Sequence, residues 1–351
     1  MSASRRRIYV AIGNRRDLSH RGGDVLNETK LYRRISTFAD VYYNGQLIDW
    51  DAPGFGLDPD RPLGIPDDDF DLVYVRNNPE LVASSRHPTI VTAYPYDKRI
   101  WQTTEGVLVT TQAWRDLLTE FNQQRVKRSV RRPWYPRRIA SPGHILLAEQ
   151  SVSPGFGPEP TDPRTKRFRA RFGSGFTVGY IGRIDPTSFP YAATKAVERV
   201  RRTNPRITLV FVGRIRDVQI PDWAVIWPAE PHENMPFVTS AFDCLLYDQD
   251  DTGEWLGSAK VLEAMSCGIP VLARPHAARI EQLGENYPLF YETAQDVERL
   301  LVRLERDPSW RDEISAQLLE RSSRYSEPEV ARRLKREFER LFDRIQRRRG
   351  S

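Results

Sequence analysis

The stretch that most limits what this chain can fold into is Asp251–Pro270, DTGEWLGSAKVLEAMSCGIP. Its acids and glycines read as a loop, a short helix follows, and Gly268 stops that helix before a strand begins at Ile269. Gly257 and Ser258 stand where the helix should start, and serine is a favoured N-cap. A helix start leaves backbone N–H groups unpaired and carries partial positive charge, which makes it a seat for phosphate. Lys260 adds a full charge there, beside the N–H of Ala259. Glu263, three residues on, shares the same side of the helix and can reach whatever sits against the first turn. Positive charge for a diphosphate and a carboxylate for a neighbouring hydroxyl pair is the chemistry that holds a sugar nucleotide.

SAKVLEAMSCGIPVLA resembles the nucleotide-sugar helix of the retaining glycosyltransferases with the GT-B fold, family 4 or "group 1". Their pattern is a Glu, seven residues, a second Glu followed by Ala-Met, then Gly-x-Pro-Val. Glu263 matches the second Glu, and Ala264, Met265, Gly268, Pro270 and Val271 follow it. The first Glu is displaced: eight residues separate Glu254 from Glu263, and Trp255 takes the usual place. Some members carry Ser/Pro-x-Lys-x-x-Glu instead, which Ser258, Lys260 and Glu263 fit. The resemblance implies an α/β GT-B architecture: two Rossmann-like domains facing across a cleft, with a last helix crossing back to the first domain. The implied boundaries are 1–155 for an acceptor domain, 156–325 for a nucleotide-sugar domain and 326–351 for the crossing helix.

A chain of 351 residues has room for two domains, each with its own core. No apolar run approaches the roughly 18 residues of a membrane span. The apolar piece Ile8–Ile12 is too short for a secretory signal. Cys244 and Cys267 have no paired or metal-type spacing and read as small buried hydrophobes in a reducing cytoplasm. The net charge of +6 suits anionic partners without choosing among them.

In chain order, Arg7–Gly13 reads as a strand, and Asp24–Phe38 has helical spacing at Val25, Leu31, Ile35 and Phe38. Gly22–Gly23 before that helix is either an ordinary turn or a place where backbone approaches a ligand; the resemblance favours the second. Residues 51–69 read as an irregular excursion. Asp71–Arg76, Thr89–Tyr94 and Gly106–Thr110 have buried-strand length, with a helix over Gln112–Phe121. A basic, aromatic cluster over 125–138 reads either as a solvated helix end and loop or as a contact for an anionic acceptor or membrane surface. No nucleic-acid motif accompanies it, so no nucleic-acid partner is expected. His144–Glu149 closes the first half as a strand, and Ser151–Pro163 has the Pro, Gly and Ser content of a hinge.

The second half repeats the rhythm: strands at Phe176–Ile181, Ile207–Val212, Ala224–Trp227, Cys244–Tyr247, Ile269–Ala273 and Leu289–Tyr291, with helices at Ala192–Arg202 and His232–Ser240. Gly182-Arg183, Gly213-Arg214, Pro228-Ala229-Glu230, Gly257-Ser258 and Pro275-His276 all fall at strand exits, where such sheets bind ligands. The end, Glu327–Arg349, is a charged helix with an apolar stripe at Val330, Leu334, Phe338, Leu341, Phe342 and Ile345 that must dock on something.

The resemblance assigns roles residue by residue. Arg183, at a Gly-Arg strand exit, grips phosphate oxygens, as a guanidinium does bidentately. The family's Lys five residues later is Ser188 here, so Lys260 takes the second cation's part, and Arg183 and Lys260 are the implied catalytic pair. Glu263 holds the ribose hydroxyls, while the sugar hydroxyls fall either to Glu254 or to the Asp250/Asp251 loop. Tyr94 stands where many members have a His; Arg214, Glu230 and His276 are further candidate contacts. No metal and no cofactor is implied, only a nucleoside diphosphate sugar as donor, a glycan, lipid-linked or small-molecule acceptor, and a cytoplasmic place at or near the inner membrane face. The reaction implied is retaining hexosyl transfer. Its rivals are a catalytically silent nucleotide-sugar-binding protein and a nucleotide-sugar epimerase of the same fold.

Overall fold

The computed structural model describes residues 5–12, 23–43, 45–51, 64–76, 79–92, 104–123, 145–248 and 255–350. The chain divides into two compact units, residues 1–150 with 327–351 and residues 151–326.

The first unit runs β1 (Arg6–Ile12), α1 (Gly23–Ser36), β2 (Ala39–Tyr43), β3 (Gln46–Leu47), β4 (Leu72–Arg76), α2 (Pro79–Ser84), β5 (Thr89–Thr92), β6 (Gly106–Val109), α3 (Gln112–Gln123) and β7 (Ile145–Leu147). Among the described residues its sheet has the order β3-β2-β1-β4-β5-β6-β7. Every neighbouring pair is parallel except β2 with β3. β4 and β6 are buried at every position, as strands covered on both faces must be. β2 instead alternates buried and half-buried residues, and its short ADVYY run hides in the sequence behind the end of α1.

The second unit runs α4 (Pro163–Phe172), β8 (Phe176–Ile184), α5 (Tyr191–Thr203), β9 (Ile207–Ile215), β10 (Val225–Trp227), α6 (Met235–Ser240), β11 (Cys244–Tyr247), α7 (Ala259–Ser266), β12 (Val271–Ala273), α8 (Ala277–Leu283), α9 (Ala294–Arg306) and α10 (Pro308–Ser322). Its sheet is wholly parallel, in the order β10-β9-β8-β11-β12. The chain leaves β8 toward β9 and β10, then returns to β11 on the other side of β8. That reversal is a topological switch point, and sheets of this kind bind ligands beyond the carboxyl ends of the strands there. Two expectations change in detail. Leu289–Tyr291 forms only a single bridge, Ala273 with Phe290, and the helix expected from His232 opens as a 3-10 turn at His232–Asn234.

The chain ends in α11 (Glu327–Arg349), which belongs to the first unit. Its stripe of Leu334, Phe338, Leu341, Phe342 and Ile345 joins one core with Tyr32 and Ile35 of α1. Ion pairs flank that seam. Arg115 grips Glu337 with both Nη atoms, at 2.9 and 3.2 Å, and Arg333 Nε meets Glu149 Oε2 at 2.5 Å. The apolar stripe therefore has its partner within the first unit, so α11 needs no second surface to cover it.

Candidate functional site

The switch point of the second unit is built on glycines. β8 and β9 stay paired to their ends, Gly182 opposite Gly213 and Arg183 opposite Arg214. Gly182 has φ +140° and Gly213 has φ +150°, conformations that favour glycine. A Cβ on Gly213 would fall 1.8 Å from the Gly182 carbonyl oxygen, and a Cβ on Gly182 would fall 2.4 Å from Lys260 Nζ. The ammonium of Lys260 therefore rests against the exit of β8. Among the described residues Lys260 forms no ion pair, which leaves its charge for a ligand.

α7 presents that lysine because its other side is committed to the core. Val261, Leu262, Ala264 and Met265 are buried, so Lys260 and Glu263, one turn apart, form the accessible side. The first helical bond runs from Leu262 N to the Ser258 carbonyl at 3.2 Å. The N–H groups of Ala259, Lys260 and Val261 thus precede the ladder, as at any helix start. Ser258 occupies the N-cap position with extended backbone, but its hydroxyl makes no capping bond, contrary to the expectation from its residue type. The side chain of Gln282 fixes Ser258 instead: its Oε1 accepts from Ser258 N at 3.2 Å and its Nε2 donates to Ser258 O at 3.0 Å. Gln282 thereby occupies the Ser258 N–H, while leaving those of the next three residues to a ligand.

Glu263 is not an ordinary surface glutamate. Its side chain is 12% exposed, and its carboxylate accepts a hydrogen bond from the Ser153 hydroxyl. His232 Nε2 lies 4.0 Å from the same carboxylate, with the tilted ring of Phe156 centred 5.5 Å from the imidazole. Ser153 and His232 are site residues that sequence reasoning missed. The first lay inside a segment read as a hinge, and the second was one scattered histidine among five.

Arg183 is 68% exposed and its Nε pairs with Asp185 Oδ2 at 2.6 Å. Arg183 directly follows Gly182, the glycine on which Lys260 Nζ rests, so both cations belong to the same strand exit. The turn after it is tightly tied. Thr187 Oγ1 and Ser188 Oγ donate to Asp185 Oδ1 at 2.7 and 2.9 Å, and Ser188 Oγ lies 2.7 Å from the Arg183 carbonyl. The Thr187 hydrogen bond, with those of Ser188 and the charge of Arg183, holds the Asp185 carboxyl below the usual range. Ser188, standing in place of a lysine, is thus a turn residue. Arg214 is exposed and forms no ion pair among the described residues.

The remaining candidates separate. Both carboxylate oxygens of Glu230 are engaged locally, by Trp227 Nε1 at 2.7 Å and Asn234 Nδ2 at 2.9 Å. His276 sits at the N-terminal edge of α8 with its Nε2 buried and without a hydrogen-bond partner. Asp248, buried just past β11, is held by Arg274 Nε at 2.7 Å. Gly23 is the first residue of α1. Gly22, Tyr94, Glu254, Asp250, Asp251 and the 125–138 cluster lie outside the described residues. No group of three His, Cys, Asp or Glu with metal-binding geometry occurs among the described residues. No described helix is long and apolar enough to cross a membrane. Two open cavities, of about 510 and 580 Å³, are lined by Tyr191 with residues 217–222 and by residues around Tyr287 and Arg324. Neither includes a candidate residue, so chemistry rather than concavity singles out the β8–α7 site.

A second buried polar cluster lies in the first unit at the ends of β4 and β5. Arg76 Nη1 meets Glu28 Oε1 at 2.5 Å, Tyr74 donates to Glu28 Oε2 at 3.1 Å, and the Tyr74 and Thr92 hydroxyls share a hydrogen bond at 2.5 Å. Burial pushes the Glu28 carboxyl up against the opposing pull of Arg76. In the sequence these residues read only as parts of one helix and two strands.

Two α/β units, each built on a sheet that is parallel apart from the β2–β3 edge pair, are the units of the GT-B fold. Among solved structures, the chain is similar to the Anabaena protein HepE in complex with UDP and glucose, with a TM-score of 0.67 and 13% identity over 95% of this chain and 99% of that one. It is also similar to sucrose-phosphate synthase from Thermosynechococcus elongatus, with a TM-score of 0.65 and 15% identity over 97% and 100%. S. aureus TarM, in complex with fondaparinux, alpha-GlcNAc-glycerol and UDP, aligns with a TM-score of 0.53 and 15% identity over 77% of this chain and 55% of that one. No family model and no curated protein sequence matches the chain. At such identities the likeness establishes the fold.

Proposed function

We propose that the chain is a glycosyltransferase of the retaining family 4 type, which moves a hexosyl unit from a nucleoside diphosphate sugar to an acceptor. The observation that carries this reading is Lys260 Nζ lodged on Gly182 at the switch point, with Glu263 one turn further along α7. Glycosyl transfer from such a donor develops negative charge on the departing diphosphate, and preorganised positive groups stabilise that charge best. Lys260 and the N–H groups of residues 259–261 supply them, and Arg183 joins when a phosphate displaces Asp185. Glu263 accepts from the ribose hydroxyls in place of the bond it now takes from Ser153. UDP-glucose is the donor to try first, because HepE has been solved in complex with it at the same fold. The chemistry uses no metal or cofactor, the acceptor belongs to the first unit, and the protein works in the cytoplasm, at or near the membrane.

A second reading is favoured by Ser188: with a turn residue where relatives of this type carry a lysine, the chain binds the donor without turning it over. A thermal-shift panel of UDP-, GDP-, dTDP- and ADP-sugars tests donor binding, since a ligand of the folded form raises its midpoint by mass action. A shift with one base, and release of that nucleotide during turnover or slow donor hydrolysis, supports the enzyme. A shift with no nucleotide release supports the silent binder. No shift with any member of the panel removes both readings.

A further inference from the structure

Behind the loop that leads into α7 lies an arginine with an unusual environment. Arg279, in α8, is 3% exposed, and among the described residues no carboxylate pairs with it. Among the described residues its guanidinium is met by neutral groups only. Nη2 donates to the Leu256 carbonyl at 3.0 Å and to the Tyr247 hydroxyl at 3.3 Å, and Nη1 donates to Gln282 Oε1. The ring of Tyr247 lies 4.6 Å beneath the guanidinium. Removing a charge from water without a counter-ion is costly, and arginine cannot shed its proton to escape that cost. A neutral residue of similar shape would pack there more cheaply. Gln282 Oε1, which Arg279 holds, is also the atom that accepts from Ser258 N. One positive charge is thereby linked through a single side chain to the backbone at the start of α7, and directly to the loop residue two before Ser258.

We infer that Arg279 is a positioning residue whose counter-ion arrives with the ligand: its buried charge completes the field that receives the donor's diphosphate at the start of α7. The inference rests on the nucleotide-sugar reading of that site. Through low-dielectric protein a charge acts over several ångströms with far less attenuation than through water. Arg279 therefore contributes without touching the phosphates, while Leu256 and Gln282 hold the loop in register with it. The requirement is for charge at this place. It distinguishes Arg279 from Gln282, whose part is geometric.

The test is a calorimetric titration of the full chain and its variants with uridine, UMP and UDP. Arg279→Lys keeps the charge and surrenders the forked hydrogen bonds, whereas Arg279→Gln keeps polarity and removes the charge. The expected result is a loss of UDP affinity in Arg279→Gln of at least about tenfold, smaller for UMP and absent for uridine, with Arg279→Lys within about threefold of wild type. If Arg279→Gln does not fold, Arg279→Met, which keeps the stem, makes the same comparison. Equal losses in the lysine and neutral variants, or losses independent of ligand charge, would assign Arg279 a purely structural part and overturn the inference. A wild-type chain that binds none of the three probes would instead defeat the donor reading itself.

Discussion

The ammonium of Lys260 occupies the space that a side chain on Gly182 would need, 2.4 Å from where its Cβ would stand. The strand exit and the helix start therefore meet at this point, where Gly182 is held by its backbone and the end of the lysine side chain is the part that can shift. Gly182→Ala places a side chain at φ +140° and pushes the ammonium aside. The expected outcome is about 1–3 kcal/mol of destabilisation in urea unfolding, with a weaker thermal shift by UDP. Gly182→Ala with full stability and full nucleotide response would show that the fit is incidental.

Lys260→Met should preserve the fold, since the stem remains and no ion pair among the described residues is lost. A hydrogen bond to a charged group contributes about 1.5–3 kcal/mol, so UDP affinity should fall about ten- to a hundredfold while uridine affinity holds. Titration calorimetry distinguishes this from a uniform loss, which would point to a misfolded site.

Glu263→Ala should weaken the UDP response more than Glu263→Gln, because the amide retains an acceptor oxygen for the ribose and for Ser153. Deoxyribose nucleotides provide the check. The wild type should discriminate against 2′-deoxy-UDP, and Glu263→Ala should not.

Two buried thiols make an alkaline prediction. Burial, above all, raises the Cys267 thiol to about 12 and pushes Cys244 up as well. Raised folded values mean stability that is fully present below the unfolded thiol value, roughly 8.5, and lost as pH climbs from there toward 12. The unfolding midpoint should therefore decline above about pH 9 in the wild type and less steeply in Cys267→Ala. Neither thiol should react with a disulfide reagent at pH 8 until the chain is unfolded.

The docking of α11 predicts a stability series. Phe338 is fully buried in the first unit, and Phe338→Ala should cost about 3–5 kcal/mol. Glu337→Ala leaves Arg115 partly exposed to solvent, which limits the loss to about 1–2 kcal/mol. Urea unfolding monitored in the full chain ranks the two, and a larger loss for Glu337→Ala would contradict the packing account.

Much of this was legible because the informative residues are close in sequence. The period of α11 appears in its apolar stripe, and the β8, β9 and β11 strands appear as short apolar runs ending at Gly-Arg or acidic turns. Lys260 and Glu263 could be assigned to one side of a helix because helical spacing places them there. What the sequence could not show depends on partners far apart along the chain. Ser153 reaches Glu263 across 110 positions, and Gln282 replaces the Ser258 hydroxyl across 24. Arg279 carried no signal at all: one arginine in a basic chain gives no hint that it is buried with no acid beside it among the described residues. β2 was missed because five residues directly after a helix offer too little alternation to stand out.

The most direct measurement is a crystal structure of the chain soaked with UDP. The account predicts the pyrophosphate against Lys260 Nζ and the N–H groups of residues 259–261, with the ribose hydroxyls on Glu263. UDP bound at another place, or bound in the second unit with Glu263 still held by Ser153 and Lys260 untouched, would contradict it.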